Sequence, residues 1–470
     1  MRLFYGLMIS IAVLSGCAST GEWSSDTPTK TNPRSSKATR VNLQNQSVSK
    51  VYAPSDNLWI RIRDGFQMEP MNSPLEIEQV RWLSARPDYV HRSMARSSRY
   101  LFYIVQEVNA RNMPTEIALL PFVESAFVTH AKSSAKAVGL WQFMPATGKD
   151  FRLTQNVFRD ERRDVLQSTD AALDYLQRLK NQFGSWELAL AAYNWGAGNI
   201  LKAQKRNLAA GLPTDYESLT MPKETRNYVP KLMAYRQIVL DPQAYGIVLP
   251  ELENHPYFVA LDVGSDIDVA LVIKLAEIPA DEFHSLNPSF NKPVILSNAN
   301  QQILLPFGHA EIFQENLKGY DKPLSSWTAV QISKTENVDL AAKTLGVDVD
   351  TLREINGIPR GMRIRAGSTL LIPKTNRRPG DVSSAMAENA SLSLEKPPPP
   401  KPKCPNPAKS AKGGKVPNCA PEKGVAKGNS SAKNTTSQHK SASTGVAKSA
   451  KNGSSVASSG KSSNQGTSKN

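Results

Sequence analysis

The run Ile117-Ala118-Leu119-Leu120-Pro121-Phe122-Val123-Glu124-Ser125-Ala126-Phe127 is apolar almost throughout, yet it carries a carboxylate, Glu124. A segment with no polar face has to be enclosed on all sides, so it belongs at the centre of a sizeable core. Glu124 is carried into that core with it. Burial penalises an ionised carboxylate, so the proton is held to a higher pH than usual. Such a group suits a general acid working near neutral pH. The plainer account is a Glu satisfied by a local cap or an Arg partner, and the run by itself does not choose between them.

The flanking sequence points to helices. Leu101, Ile104, Val105 and Val108 recur at helical spacing, and Ala171, Ala172, Tyr175, Leu176 and Leu179 repeat the pattern. Trp186–Tyr193 reads as a short apolar helix ended by Gly196 and Gly198. Residues 57–245 are therefore expected to be mostly α.

The two ends differ from this body. Residues 375–470 hold fourteen Lys, Arg377 and Arg378 against Asp381, Glu388, Glu395 and Glu422, which is twelve of the chain's fifteen net positive charges. The body is nearly neutral, which argues against a basic nucleic-acid-binding domain. The same 96 residues contain no Ile, Phe, Tyr or Trp, so they are expected to be a disordered basic tail. At the other end, Met1-Arg2, an apolar run from Leu3 to Val13 and small residues make a secretory signal too short to span a membrane. Leu14-Ser15-Gly16-Cys17 resembles the bacterial lipoprotein box. That resemblance implies a signal peptide of residues 1–16, a lipid on Cys17, and a flexible tether over 17–56. Ala18, where Asp would mark the inner membrane, implies an outer-membrane lipoprotein facing the periplasm. An ordinary signal peptide with a chance cysteine is the alternative. Cys404 and Cys419 lie close enough in sequence to pair in an oxidising compartment, and their pairing is open. The core has no thiol nucleophile.

Two further stretches bear on Glu124. Ala137-Val138-Gly139-Leu140-Trp141-Gln142-Phe143-Met144-Pro145 and Ala192-Tyr193-Asn194-Trp195-Gly196 combine aromatic rings, amides and glycines. Sugars have apolar faces and hydrogen-bonding edges, which suits such a mixture. With Glu124-Ser125 and Glu224-Thr225-Arg226-Asn227-Tyr228-Val229-Pro230-Lys231-Leu232, these stretches occur in the order of four motifs of a known family. Together they resemble the soluble-lytic-transglycosylase catalytic domain, a mostly α, goose-type-lysozyme-like fold.

The resemblance implies a lytic transglycosylase acting on peptidoglycan glycan strands without a cofactor. It implies that Glu124 is the catalytic acid and base, that Ser125 lies in the active site, and that Gln142, Tyr193 and Asn194 contact substrate. Tyr228 falls at the tyrosine that orients the glutamate. Trp141 and Trp195 stand where the family commonly has smaller or more flexible residues, and are expected to add bulk near the bound sugar. No second carboxylate is expected from the matching motifs. Asp150, Asp160, Glu161 and Asp164 are expected to face solvent or to pair with nearby arginines. In the implied reaction the MurNAc–GlcNAc bond is cut without water, leaving a 1,6-anhydroMurNAc end. A lysozyme-type hydrolase and a non-catalytic glycan-binding scaffold are the alternatives.

After Pro250 the pattern changes to short strands flanking helices. Trp327–Val330, Val338–Thr344, Asp350–Ile355 and Ser368–Pro373 read as strand, helix, helix and strand. Over 327–374 this βααβ layout resembles a LysM module, which implies binding to GlcNAc-containing glycans. An internal repeat at an offset of 69 matches Leu271 with Leu340, Phe283 with Leu352, and Leu286-Asn287 with Ile355-Asn356. Residues 257–308 are thus expected to be a diverged LysM-like unit. A LysM-shaped spacer without glycan affinity is the alternative for either unit. His91, His130, His255, His284 and His309 are scattered without paired-ligand spacing, so no metal is expected. The oligomeric state is left open.

Overall fold

A computed structural model describes residues 57–297, 301–376, 378 and 380–399. The readings placed on residues 1–56, including Cys17, and on the tail beyond 399, including Cys404 and Cys419, lie outside the described residues.

Eleven α-helices build the first part of the described chain: α1 (Leu58–Asp64), α2 (Pro74–Ser84), α3 (Pro87–Ser97), α4 (Leu101–Ala110), α5 (Leu120–Glu124), α6 (Pro145–Asp150), α7 (Val165–Phe183), α8 (Trp186–Trp195), α9 (Ala197–Ala209), α10 (Lys223–Arg226) and α11 (Tyr228–Leu240). Their starts are set by side chains that accept otherwise unpaired backbone N–H groups. Ser73 caps α2, Asp164 takes the amides of Leu166 and Gln167 at the head of α7, and Ser185 takes that of Leu188 at α8. The periodic apolar positions are the buried ones: Leu101, Ile104, Val105 and Val108 on α4, and Ala171, Ala172, Leu176 and Leu179 on α7. Gly196 ends α8 at φ 93°, a backbone region that glycine enters without cost, whereas Gly198 lies in the first turn of α9.

The apolar run opens as a 3-10 turn over Thr115–Leu119, continues as α5, and turns sharply at Ala126 and Phe127, both at positive φ. Phe122 and Phe127 meet edge to face with centroids 4.5 Å apart, and Phe122 stacks on Tyr235 of α11. The short α5 thus sits in the core, with Glu124 at its C-terminal end.

The second part repeats one small unit. In the first copy, β1 (Phe258–Asp262) pairs antiparallel with β4 (Gln302–Pro306), and β2 (Ile267–Asp268) with β3 (Val294–Ile295). Helices α12 (Val269–Ala276) and α13 (Ala280–Leu286) lie between the strands in sequence, and α14 (Phe307–Lys318) follows. In the second copy, β5 (Trp327–Gln331) pairs with β8 (Thr369–Pro373), and β6 (Glu336–Asn337) with β7 (Arg363–Ile364), around α15 (Val338–Leu345) and α16 (Val349–Asn356). The same buried asparagine closes each copy. Asn287 donates to the Leu304 carbonyl and accepts from the Leu304 amide, both at 2.8 Å. Asn356 does the same with Leu371, at 2.9 and 2.8 Å. Each amide satisfies both backbone groups of a buried strand residue, which explains why Asn recurs across the repeat.

The first copy shares its core with the helical part, since Phe258, Leu286 and Leu304 pack into the helical cluster. Arg99 holds Glu282 through both carboxylate oxygens, and Tyr100 donates to the Ser285 carbonyl at 2.9 Å.

One expectation is corrected for part of its span. Residues 380–399 do not belong with a disordered tail: they fold back as α17 (Ser384–Asn389) and β9 (Leu394–Glu395). Strand β9 adds to β7, with Arg363 opposite Glu395, and Glu395 pairs with Arg363 and Arg365. Val382, Ala387 and Ala390 are buried against Phe158, Val294, Leu296 and Leu371. The Val382 amide donates to buried Asp266, and the Val157 amide to the Ala390 carbonyl. Composition averaged over 96 residues hid the few apolar side chains at its start. Edge pairing moreover uses backbone groups that composition does not register.

Candidate active site

Glu124 ends α5, and Tyr228 begins α11, 104 residues later. The Tyr228 hydroxyl donates to Glu124 Oε1. Glu124 is half-buried as a residue, while protein atoms surround its carboxyl group. Burial pushes its pKa up to about 7. The Tyr228 hydrogen bond opposes that rise, the Glu224 charge adds to it, and the Lys231 ammonium lowers it. Tyr228 is itself buried beside this carboxylate, which holds its hydroxyl proton far above the usual range. The phenol therefore acts as a fixed donor to Glu124.

Ser125 and Gln142 shape the neighbouring hairpin rather than standing free. Ser125 Oγ donates to the Leu140 carbonyl at 2.9 Å, tying the end of α5 to the glycine-punctuated loop. Gln142 sits at φ 49°, and its Nε2 donates to the Gly139 carbonyl at 2.9 Å. Its Oε1 accepts no hydrogen bond among the described residues. Val138 bridges both Lys132 and Phe143, so residues 131–143 form a compact double turn. Gly139 is at φ 85°, and a Cβ there would lie 2.3 Å from the Arg162 carbonyl. Gly139→Ala should therefore cost about 2–4 kcal/mol, combining an unfavourable φ with overpacking against backbone. Chemical denaturation reads this directly, and a loss under about 0.5 kcal/mol would contradict the close approach.

Tyr193 donates to the Trp141 carbonyl at 2.8 Å and packs obliquely on Tyr175, with centroids 5.4 Å apart. Burial raises its pKa and the Glu124 charge adds to that rise, so the two side chains lie in one electrostatic neighbourhood. Asn194 is held from the opposite side. Its Oδ1 accepts from Thr225 at 2.8 Å and its Nδ2 reaches Glu224 at 3.4 Å. The fold thus brings Glu124, Ser125, Gln142, Tyr193 and Tyr228 around one hairpin and α11, and ties Asn194 to α10.

Two readings change here, those of Trp141 and of a second carboxylate. Trp141 is fully buried, and its indole N–H donates to Thr169 at 3.0 Å, so it is a core residue and adds no bulk beside bound sugar. Trp195, half-buried, packs against the same core. Glu224 is a second carboxylate within the motifs, exposed but close enough for its charge to act on Glu124. Asp160 pairs with Arg162, and Glu161 and Asp164 with Arg159, while Asp150 faces solvent. Arg162 is a functional neighbour that sequence reasoning missed. It donates to the Lys136 carbonyl at 3.0 Å and to the Phe143 carbonyl at 3.3 Å, bracing the hairpin. Nothing in the Arg-rich run 159–163 distinguishes it from its neighbours. Thr225 could have been found, since it lies in the fourth motif beside Tyr228.

Residues 103–211 match the model of the Transglycosylase SLT domain. Residues 257–322 match that of the LysM-like domain of lytic transglycosylase MltD. Tyr228 and α11 lie beyond the first match. The membrane-bound lytic murein transglycosylase D of Escherichia coli, from strain K12 and from strain O6:H1, is 32% identical over 382 residues. The alignment covers 78% of this chain and 84% of the relative. The crystal structure of the 70 kDa soluble lytic transglycosylase from Escherichia coli is 22% identical, with 36% of this chain and 31% of that chain covered at a TM-score of 0.25. The SLT and LysM-like domains make this chain a lytic transglycosylase. Within that class it belongs to the family of membrane-bound lytic murein transglycosylase D. No helix among the described residues is long and apolar enough to cross a membrane.

Proposed function

We propose that this chain cleaves the MurNAc–β-1,4–GlcNAc bond of peptidoglycan, with Glu124 as the acid and then the base. What supports this is the geometry of Glu124, a half-buried residue at the end of a buried helix whose carboxyl group accepts from the Tyr228 phenol and has its pKa pushed by burial up to about 7. Protonated Glu124 gives its proton to the glycosidic oxygen as the bond to C1 breaks. The N-acetyl group of MurNAc stabilises the cation from within the substrate, which removes the need for a carboxylate nucleophile. Ionised Glu124 then takes the proton of the C6 hydroxyl, and that oxygen bonds to C1. One proton has moved from O6 to the leaving oxygen, and no water is consumed. A pKa near the working pH lets one residue perform both transfers.

Ser125, through its bond to Leu140, and Tyr228 position the glutamate, while Gln142, Tyr193 and Asn194 contact the sugars in this reading. The span 57–245 is the catalytic domain, and 257–308 and 327–374 are two LysM-like units that hold glycan strands. Cys17 carries the lipid that anchors the chain at the outer membrane.

Glu224 supports a second reading, hydrolysis with water activated by that carboxylate. Digestion of sacculi in ¹⁸O-labelled water separates the two. Lytic cleavage leaves 1,6-anhydroMurNAc ends free of ¹⁸O by mass spectrometry, and labelled reducing ends would establish hydrolysis instead.

A further inference from the structure

Behind the hairpin that carries Gln142 lies a recess of about 310 Å³, within the span of small-ligand sites. His130, Lys132, Lys136, Asp160, Arg162 and Arg163 line it. Its only carboxylate is already neutralised: Asp160 takes Arg162 Nε and Nη2 at 3.0 and 2.8 Å, one on each oxygen. Lys132 and Lys136 have no ion-pair partner among the described residues. Among the described residues the Arg163 side chain is hydrogen-bonded only to the neutral Asn291, and its Nε is buried with no acceptor. Three cations thus converge on one concavity, next to a buried donor that lacks a partner. Like charges in one recess repel one another and favour an anion supplied from outside.

We propose that this recess binds a carboxylate of the peptide stem on the MurNAc residue being cleaved, which rests on the lytic reading of Glu124. The sugars of murein carry no net charge once the lactyl group is amide-linked, so on a stem-bearing strand the carboxylates that three cations can pair with are those of the stem. The peptide stem bears carboxylates and leaves the same MurNAc ring whose C1 is attacked. The hairpin 131–143 joins the two places: Ser125 is tied to Leu140, while Lys132, Lys136 and Val138 face the recess. The enzyme therefore distinguishes strands with free stem carboxylates from strands in which those carboxylates are masked.

The test compares the wild type with the Lys132→Glu/Lys136→Glu double variant on two substrates. One is glycan strands bearing uncross-linked stems with free carboxylates, and the other is the same strands with those carboxylates converted to amides. At low salt the variant should lose about ten-fold or more in kcat/KM on strands with free carboxylates and little on amidated ones. Salt should weaken the wild type's preference for free carboxylates and leave the variant's unchanged. An unchanged ratio between the substrates overturns the proposal, whether both activities persist or both fall. Absence of anhydro product from wild type on either substrate would instead remove the lytic reading itself.

Discussion

Glu124→Gln should lower murein cleavage by about a thousand-fold or more while leaving glycan binding intact, because one residue supplies both proton transfers. The amide is close to the carboxyl in size and still accepts the Tyr228 hydrogen bond, so the site keeps its shape. It has no proton to give at any accessible pH. The same substitution carries a stability signature. The folded pKa of Glu124 is raised to about 7, so the folded state binds its proton more tightly than the unfolded chain does. The native fold is therefore favoured by this group below the ordinary glutamate pKa, and that contribution is lost as pH rises toward 7. Above pH 7 the wild type holds a poorly solvated charge that the Gln variant lacks. Gln should be the more stable there by about 1–2 kcal/mol, a figure discounted for the half-exposed position. The difference should shrink toward pH 4. Denaturation curves at both pH values, with turnover assays alongside, test the two effects together. Cleavage by the Gln variant at near wild-type rate would remove Glu124 from the chemistry.

Tyr228→Phe should reduce kcat by about 10- to 100-fold and move the pH profile upward. The phenol lowers the Glu124 pKa against the larger effect of burial, so deleting it lets that pKa climb further. Glu124 then stays protonated to higher pH but is a weaker acid, which slows the first transfer. The alkaline limb of the profile should move to higher pH, so the deficit relative to wild type narrows there. A role confined to packing would lower activity without shifting the profile, so the pH dependence of kcat separates the two roles. Tyr228 is almost fully buried, and Phe retains its ring, so the fold should tolerate the change.

Much of this protein was readable in advance, for specific reasons. The periodic apolar residues of α4 and α7 are buried because helix geometry alone places them on one face. Asn287 and Asn356 recur because each repeat has one strand residue whose two backbone groups need the same partner. Trp141 was misjudged because an aromatic beside Gly139 and Gln142 fits a sugar site and a core equally well in sequence. Thr169, which takes its indole N–H, lies on α7. The fold-back of residues 380–399 was missed because its anchors, Asp266 and the edge of β7, are distant in the chain.

The sequence by itself determined that a carboxylate would lie inside an apolar helical body, that the repeat after Pro250 would fold twice, and that most of the charge belonged to the C-terminal end. These follow from local spacing and composition, which each segment carries within itself. Only the tertiary structure decided that Tyr228 would meet Glu124, that Glu224 would add to its pKa, and that three cations would share a recess behind the same hairpin. Charges and donors act through distance in space, and residues 104 positions apart acquire that distance only when the core closes between them.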